Sequence, residues 1–143
     1  MTFLISCLQI LLACLPPGID RVVYKPKKYS PKVIAFLPTG YIVHRTAAEG
    51  DTEYSYHYSD SSVFYISSFP TPHSYAEIRK ANAFYDKRDA RHLNKELVLA
   101  GKDSLGYYWK DRTVNDLSIG FYKVKGSKLV IMEKVMETLS VKK

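Results

Sequence analysis

Apolar and polar residues follow three rhythms along this chain of 143 residues. The first is a block. Phe3–Leu15 (FLISCLQILLACL) is uncharged and almost wholly apolar, and it stops at Pro16-Pro17, which a helix does not cross easily. The second is the alternation of strands. In Glu53–Ser59 (EYSYHYS), Tyr54, Tyr56 and Tyr58 fall on one face and Ser55, His57 and Ser59 on the other. The third is the helical spacing of Ile131, Met132, Val135, Met136 and Leu139.

Turn residues divide the alternating stretches into elements. Val33–Leu37 and Tyr41–Arg45, joined by Pro38-Thr39-Gly40, read as a strand pair, and Ala47 to Thr52 as a polar loop. Glu53–Ser59 and Val63–Phe69 form a hairpin about Asp60-Ser61. After Pro70-Thr71-Pro72, Ser74-x-x-Glu77 is a capping-box signature and opens a helix to Arg88. Glu96–Ala100 and Tyr107–Asp111 pair across the turn Lys102–Gly106. Leu117–Val124 is a further strand, with Gly120 as a bulge position, and Ser127 caps a final helix. The expected class is α+β: an antiparallel sheet of about six or seven strands with two packing helices, at about 75–88 and 128–139. The order of four strands, helix, three strands, helix resembles the Mog1/PsbP-like α/β sandwich, where hairpins alternate with two packing helices.

The opening block is too short to cross a bilayer. Thirteen helical residues reach about 20 Å, against about 30 Å of hydrocarbon, but that length suits the apolar part of a signal peptide. At its end, Leu11-Leu12-Ala13-Cys14 resembles the lipobox of bacterial lipoproteins. The resemblance covers four residues. It implies cleavage between Ala13 and Cys14 and a lipid on the Cys14 thiol. Residues 1–13 are then a signal peptide, 14–31 a lipid-anchored tether stiffened by prolines, and 32–143 a single domain. Cys7 and Cys14 are the only cysteines, so no disulfide forms within the cleaved chain and core packing alone holds it.

Composition refines this picture. The chain is 46% hydrophobic and 24% charged, which is ordinary for a globular protein. Its formal charge of +7 attracts anions of many kinds, but the charge is spread in no long run. The 12 Tyr are unusual. A Tyr ring packs while its hydroxyl stays wet or hydrogen-bonded, so the stripe suits sheet packing or a ligand-bearing face.

Chemistry is sparse. Gly101-Lys-Asp-Ser104-Leu-Gly106 is a hairpin turn and one residue too long for a nucleophile elbow. Phosphate loops are absent, and His44, His57, His73 and His92 are dispersed without metal-ligand spacing. Glu53, Asp103 and Asp111 lie near strand ends, where paired carboxylates could converge. The expectation is therefore a non-catalytic binding or structural lipoprotein of the cell envelope, facing the periplasm or exterior. It needs no cofactor and no metal, and it is held to the membrane by Cys14. Tyr54, Tyr56 and Tyr58, or the edge at Tyr107 and Trp109, would meet a protein or glycan, and nucleic acid is not a partner. The alternatives are a periplasmic inhibitor or immunity-type protein, and an enzyme of unrecognised type.

Overall fold

The computed structural model describes residues 18–69 and 95–143. They form nine strands and one helix. The first five strands are β1 (Ile19–Tyr24), β2 (Lys32–Pro38), β3 (Tyr41–Ala48), β4 (Asp51–Tyr58) and β5 (Val63–Ser67). The second run is β6 (Leu97–Lys102), β7 (Tyr108–Val114), β8 (Leu117–Val124), helix α1 (Gly126–Glu137) and β9 (Ser140–Lys142). A three-stranded sheet has the order β1-β2-β9, and a six-stranded sheet the order β3-β4-β5-β8-β7-β6. Every strand pairing among the described residues is antiparallel.

This architecture corrects the α+β expectation of one sheet with two helices. Of the described residues, 57% lie in strands and 12% in the helix. The expected helix at 75–88 lies outside the described residues. The second sheet arises because residues 19–24, expected to be tether, pair along β2 as β1, and β9 takes β2's other edge. With both edges filled, β2 does not pair with β3. The chain turns the corner at Gly40, whose φ of 89° suits glycine, and β3 pairs with β4 in the other sheet.

Two tight turns extend the strands beyond their expected bounds. Glu49 and Gly50 both have positive φ, as do Asn115 and Asp116. Each pair closes a two-residue hairpin of the mirror-image type that matches strand twist, with Ala48 opposite Asp51 and Val114 opposite Leu117. The Asp60 carboxylate accepts from the Ser62 amide at 3.0 Å and from its hydroxyl at 2.6 Å, which fixes the β4–β5 turn.

Gly120 is not the bulge. The ladder slips where Tyr108–Lys110 of β7 face Val124–Phe121 of β8. The extra residue on β8 falls at Tyr122-Lys123, where Lys123 has a φ of 54°. Gly120 instead permits close approach: a Cβ there would sit 2.0 Å from the Lys110 carbonyl oxygen and 2.7 Å from the Tyr65 hydroxyl.

The main core lies between the sheets. Val22, Tyr24, Val33, Ala35 and Leu37 of the smaller sheet meet Phe64, Ile66, Ile119 and Phe121 of the larger. Helix α1 packs against both β8 and β2 and inserts Met132, Val135 and Met136. It begins two residues before the expected start. Lys125 is its N-cap, without a side-chain cap bond, so Ser127 lies inside the helix. The helix ends as the Thr138 hydroxyl donates back to the Lys134 carbonyl at 3.0 Å.

Candidate functional site

The tyrosine stripe of β4 faces inward. Tyr56 and Tyr58 belong to the main core, at 3% and 8% exposure, and Tyr54 is half-buried against it. Their rings pack edge-on with neighbours: Tyr24 with Tyr54 at 5.2 Å, and Tyr41 with Tyr56 at 5.1 Å between centroids. The Tyr58 hydroxyl donates to the Pro38 carbonyl at 2.9 Å. Burial pushes the Tyr56 and Tyr58 hydroxyls above their ordinary range. A ligand cannot reach Tyr56 without opening the core, so the stripe is packing rather than a binding platform. Alternation located the face; it carried no information about which side is covered.

The other aromatic candidates lie at the β6–β7 edge. A shallow depression of about 320 Å³ is lined by Gly101 and Lys102 of β6, Tyr108 and Trp109 of β7, and Leu129 and Glu133 of α1. Gly101 makes room for the indole, since a Cβ there would lie 2.9 Å from the Trp109 ring. Lys102 Nζ stands 4.5 Å from the centroid of Tyr108, and Lys110 pairs with Glu133 at 2.5 Å. The site thus brings Trp109 together with one lysine, one carboxylate and one half-buried tyrosine. Tyr107 lies at its border, where its amide donates to the Asp103 carboxylate at 2.9 Å.

The carboxylates do not converge in an open cleft. Asp103 is occupied as a turn cap, also accepting from the Leu105 amide at 2.9 Å. Asp111 is fully buried and accepts from the Tyr65 hydroxyl. Tyr65 crosses the gap left by Gly120 to reach it. Burial first, then the neighbouring Asp111 charge, raises Tyr65 well above its ordinary range. Glu53 is 2% exposed on the same face of the larger sheet. That face also buries Ser55, Ser67, Thr113 and Ser118, none more than 5% exposed. This buried polar layer is the feature sequence reasoning missed. Its signal was present, because Glu53, Ser55 and His57 alternate with the tyrosines, but alternation with polar residues normally marks a wet face.

His44 and His57 approach across β3 and β4, with ring centroids 4.5 Å apart. His57 Nε2 lies 2.9 Å from Ser55 Oγ. Burial and the neighbouring His44 lower the His57 pKa from its ordinary value, against the opposing pull of Glu53. Among the described residues, no group of three or more His, Cys, Asp or Glu could hold a metal ion. Nor is any helix among them long and apolar enough to cross a membrane. Cys14, His73 and His92 lie outside the described residues. No family model matches the chain, nor does any curated protein or solved structure.

Proposed function

We propose that this chain is an exported, lipid-anchored module of the cell envelope that works by binding rather than by catalysis. The observation that carries the anchor is Leu11-Leu12-Ala13-Cys14 at the end of the apolar block. Only Leu15–Gly18 separate that cysteine from β1. Binding is favoured over catalysis by the state of the acids. Asp111 and Glu53 are buried and Asp103 caps a turn, so none of the three is free to work on a substrate from solution. The depression beside Trp109 is the contact surface of choice, because the exposed Lys102 at its rim gives a partner a positive charge to read beside the aromatic rings, while Glu133 is held by Lys110.

The test is the intact mass of the protein recovered from membranes of an expressing bacterium. The expected species begins at Cys14 and carries acyl mass, and Cys14→Ser leaves the chain unacylated. Recovery of the whole polypeptide, Met1 included and unmodified, from the soluble interior would remove this reading. For the contact surface, Lys102→Glu should weaken capture of an envelope partner while leaving the unfolding midpoint nearly unchanged, since exposed charges contribute little to stability.

A further inference from the structure

The three-stranded sheet has two faces of opposite character. Its inner face supplies Val22, Tyr24, Val33, Ala35 and Leu37 to the main core. The same register defines its outer face. There Ile19 lies opposite Pro38, Arg21 opposite Phe36, and Val23 opposite Ile34. Across β2, Lys32 lies opposite Lys142, and Ile34 opposite Ser140. None of these outer positions is acidic. Arg21, Val23 and Lys142 are exposed, and Lys32, Ile34 and Phe36 are half-buried. The β1–β2 connection carries the exposed Lys25 and Lys28 and the 90% exposed Tyr29.

Two features of this face ask for a cause beyond the fold. Like charges directly opposite one another weaken a sheet, yet Lys32 and Lys142 are paired so. Val23, Ile34 and Phe36 stand between those charges on the side away from the core. An anionic lipid surface answers both: headgroup phosphates neutralise the cations, and apolar side chains between them enter the boundary of the acyl region. The anchor delivers the face to such a surface. Ile19 is five residues beyond Cys14, so β1 begins at most about 18 Å of backbone from the attachment residue.

We propose that the outer face of the three-stranded sheet rests on an anionic membrane, held by Arg21, Lys32 and Lys142 around the apolar patch of Val23, Ile34 and Phe36. Delivery of the face to the bilayer rests on the reading of Cys14 as an anchor; the affinity of the face does not. The experiment therefore uses the full chain carrying Cys14→Ser, with vesicles of phosphatidylcholine alone or mixed with phosphatidylglycerol. The apolar start binds both kinds of vesicle, and the sheet face distinguishes them. Tighter binding to the anionic vesicles is expected, with the difference collapsing in about 0.5 M salt.

Each surface cation near anionic lipid contributes about fivefold. The triple variant R21Q/K32Q/K142Q should therefore cut the anionic preference on the order of 100-fold, while R21K/K32R/K142R retains it. Equal binding of the Cys14→Ser chain to both vesicles overturns the proposal. So does a preference that survives the glutamine variant, or tighter binding to duplex DNA than to anionic vesicles. If the glutamine variant fails to fold, the vesicle and salt comparison of the parent chain decides alone. The anchor is judged separately by mass: an unacylated Cys14 in the wild-type protein sinks the anchor and leaves the vesicle result standing.

Discussion

Gly120 shows how much one missing side chain can organise. Its bare Cα lets the Lys110 carbonyl come close and lets the Tyr65 hydroxyl pass across β8 to Asp111. A methyl group there must displace backbone on one side and a buried phenol on the other. Gly120→Ala is therefore expected to cost about 3 kcal/mol, read as a lower midpoint in urea unfolding. An unchanged midpoint would mean that the close approach is not maintained in solution. His57 governs a different axis, acidity. Burial, reinforced by His44, holds its folded pKa below the ordinary value of 6.5. The unfolded chain then takes up a proton that the folded chain resists, so stability falls as pH drops below about 6.5 and is regained above it. Urea midpoints measured from pH 7.5 down to 5 should decline, and His57→Gln should flatten that decline. A slope untouched by the substitution would place the titration elsewhere.

At the scale of elements, turns decide more than strands do. The β3–β4 hairpin closes through Glu49-Gly50, with φ of 51° and 91°. Glutamate is poorly suited to the left-handed region, whereas Asn-Gly is the pair such turns favour. Glu49→Asn should stabilise the protein by about 0.5 kcal/mol, visible as a small rise in melting temperature; a fall would mean that the Glu49 side chain holds a contact worth more than the turn.

Turn chemistry also explains what could be read in advance. The β4–β5 hairpin was legible because clean alternation met Asp60-Ser61 at its tip, and β8 was legible from its apolar run. The β7–β8 turn at Asn115-Asp116 carried a usable signal of the same kind. Strand β1 was hidden by its charges and by the prolines and glycine that flank it, although Val22 and Tyr24 alternate toward the core. Strand β9, with three residues, is too short for any periodicity. The aromatic candidates divided for the same reason. Sequence grouped Tyr54, Tyr56 and Tyr58 on one face, but only the smaller sheet and α1 packing over that face make it a core.

For the whole molecule, the decisive contacts run between the two sheets. Tyr24 is fully buried, and its hydroxyl donates to the Thr52 carbonyl of β4 at 2.9 Å, so β1 reaches into the larger sheet. Val22 fills the space beside it. A chain beginning at residue 32, where the folded part was expected to start, would lose both side chains and leave the β1 edge of β2 unpaired. Burying a large aromatic side chain of this kind is worth about 3–5 kcal/mol when it is truncated, and a domain of this size has only about 5–15 kcal/mol in reserve. The fragment 32–143 should therefore lack a sharp cooperative unfolding transition, whereas a chain cut between Ala13 and Cys14 keeps β1 whole and should unfold cooperatively. Circular dichroism of the two under urea separates these outcomes. A cooperative fragment 32–143 would show that β1 decorates the fold instead of completing it, and residues 19–24 would then be free to act as tether. If the fragment fails while the longer chain folds, Cys14 lies only ten residues before the core residue Tyr24, and the anchor proposed at Cys14 would hold the folded body no farther from a bilayer than that short stretch permits.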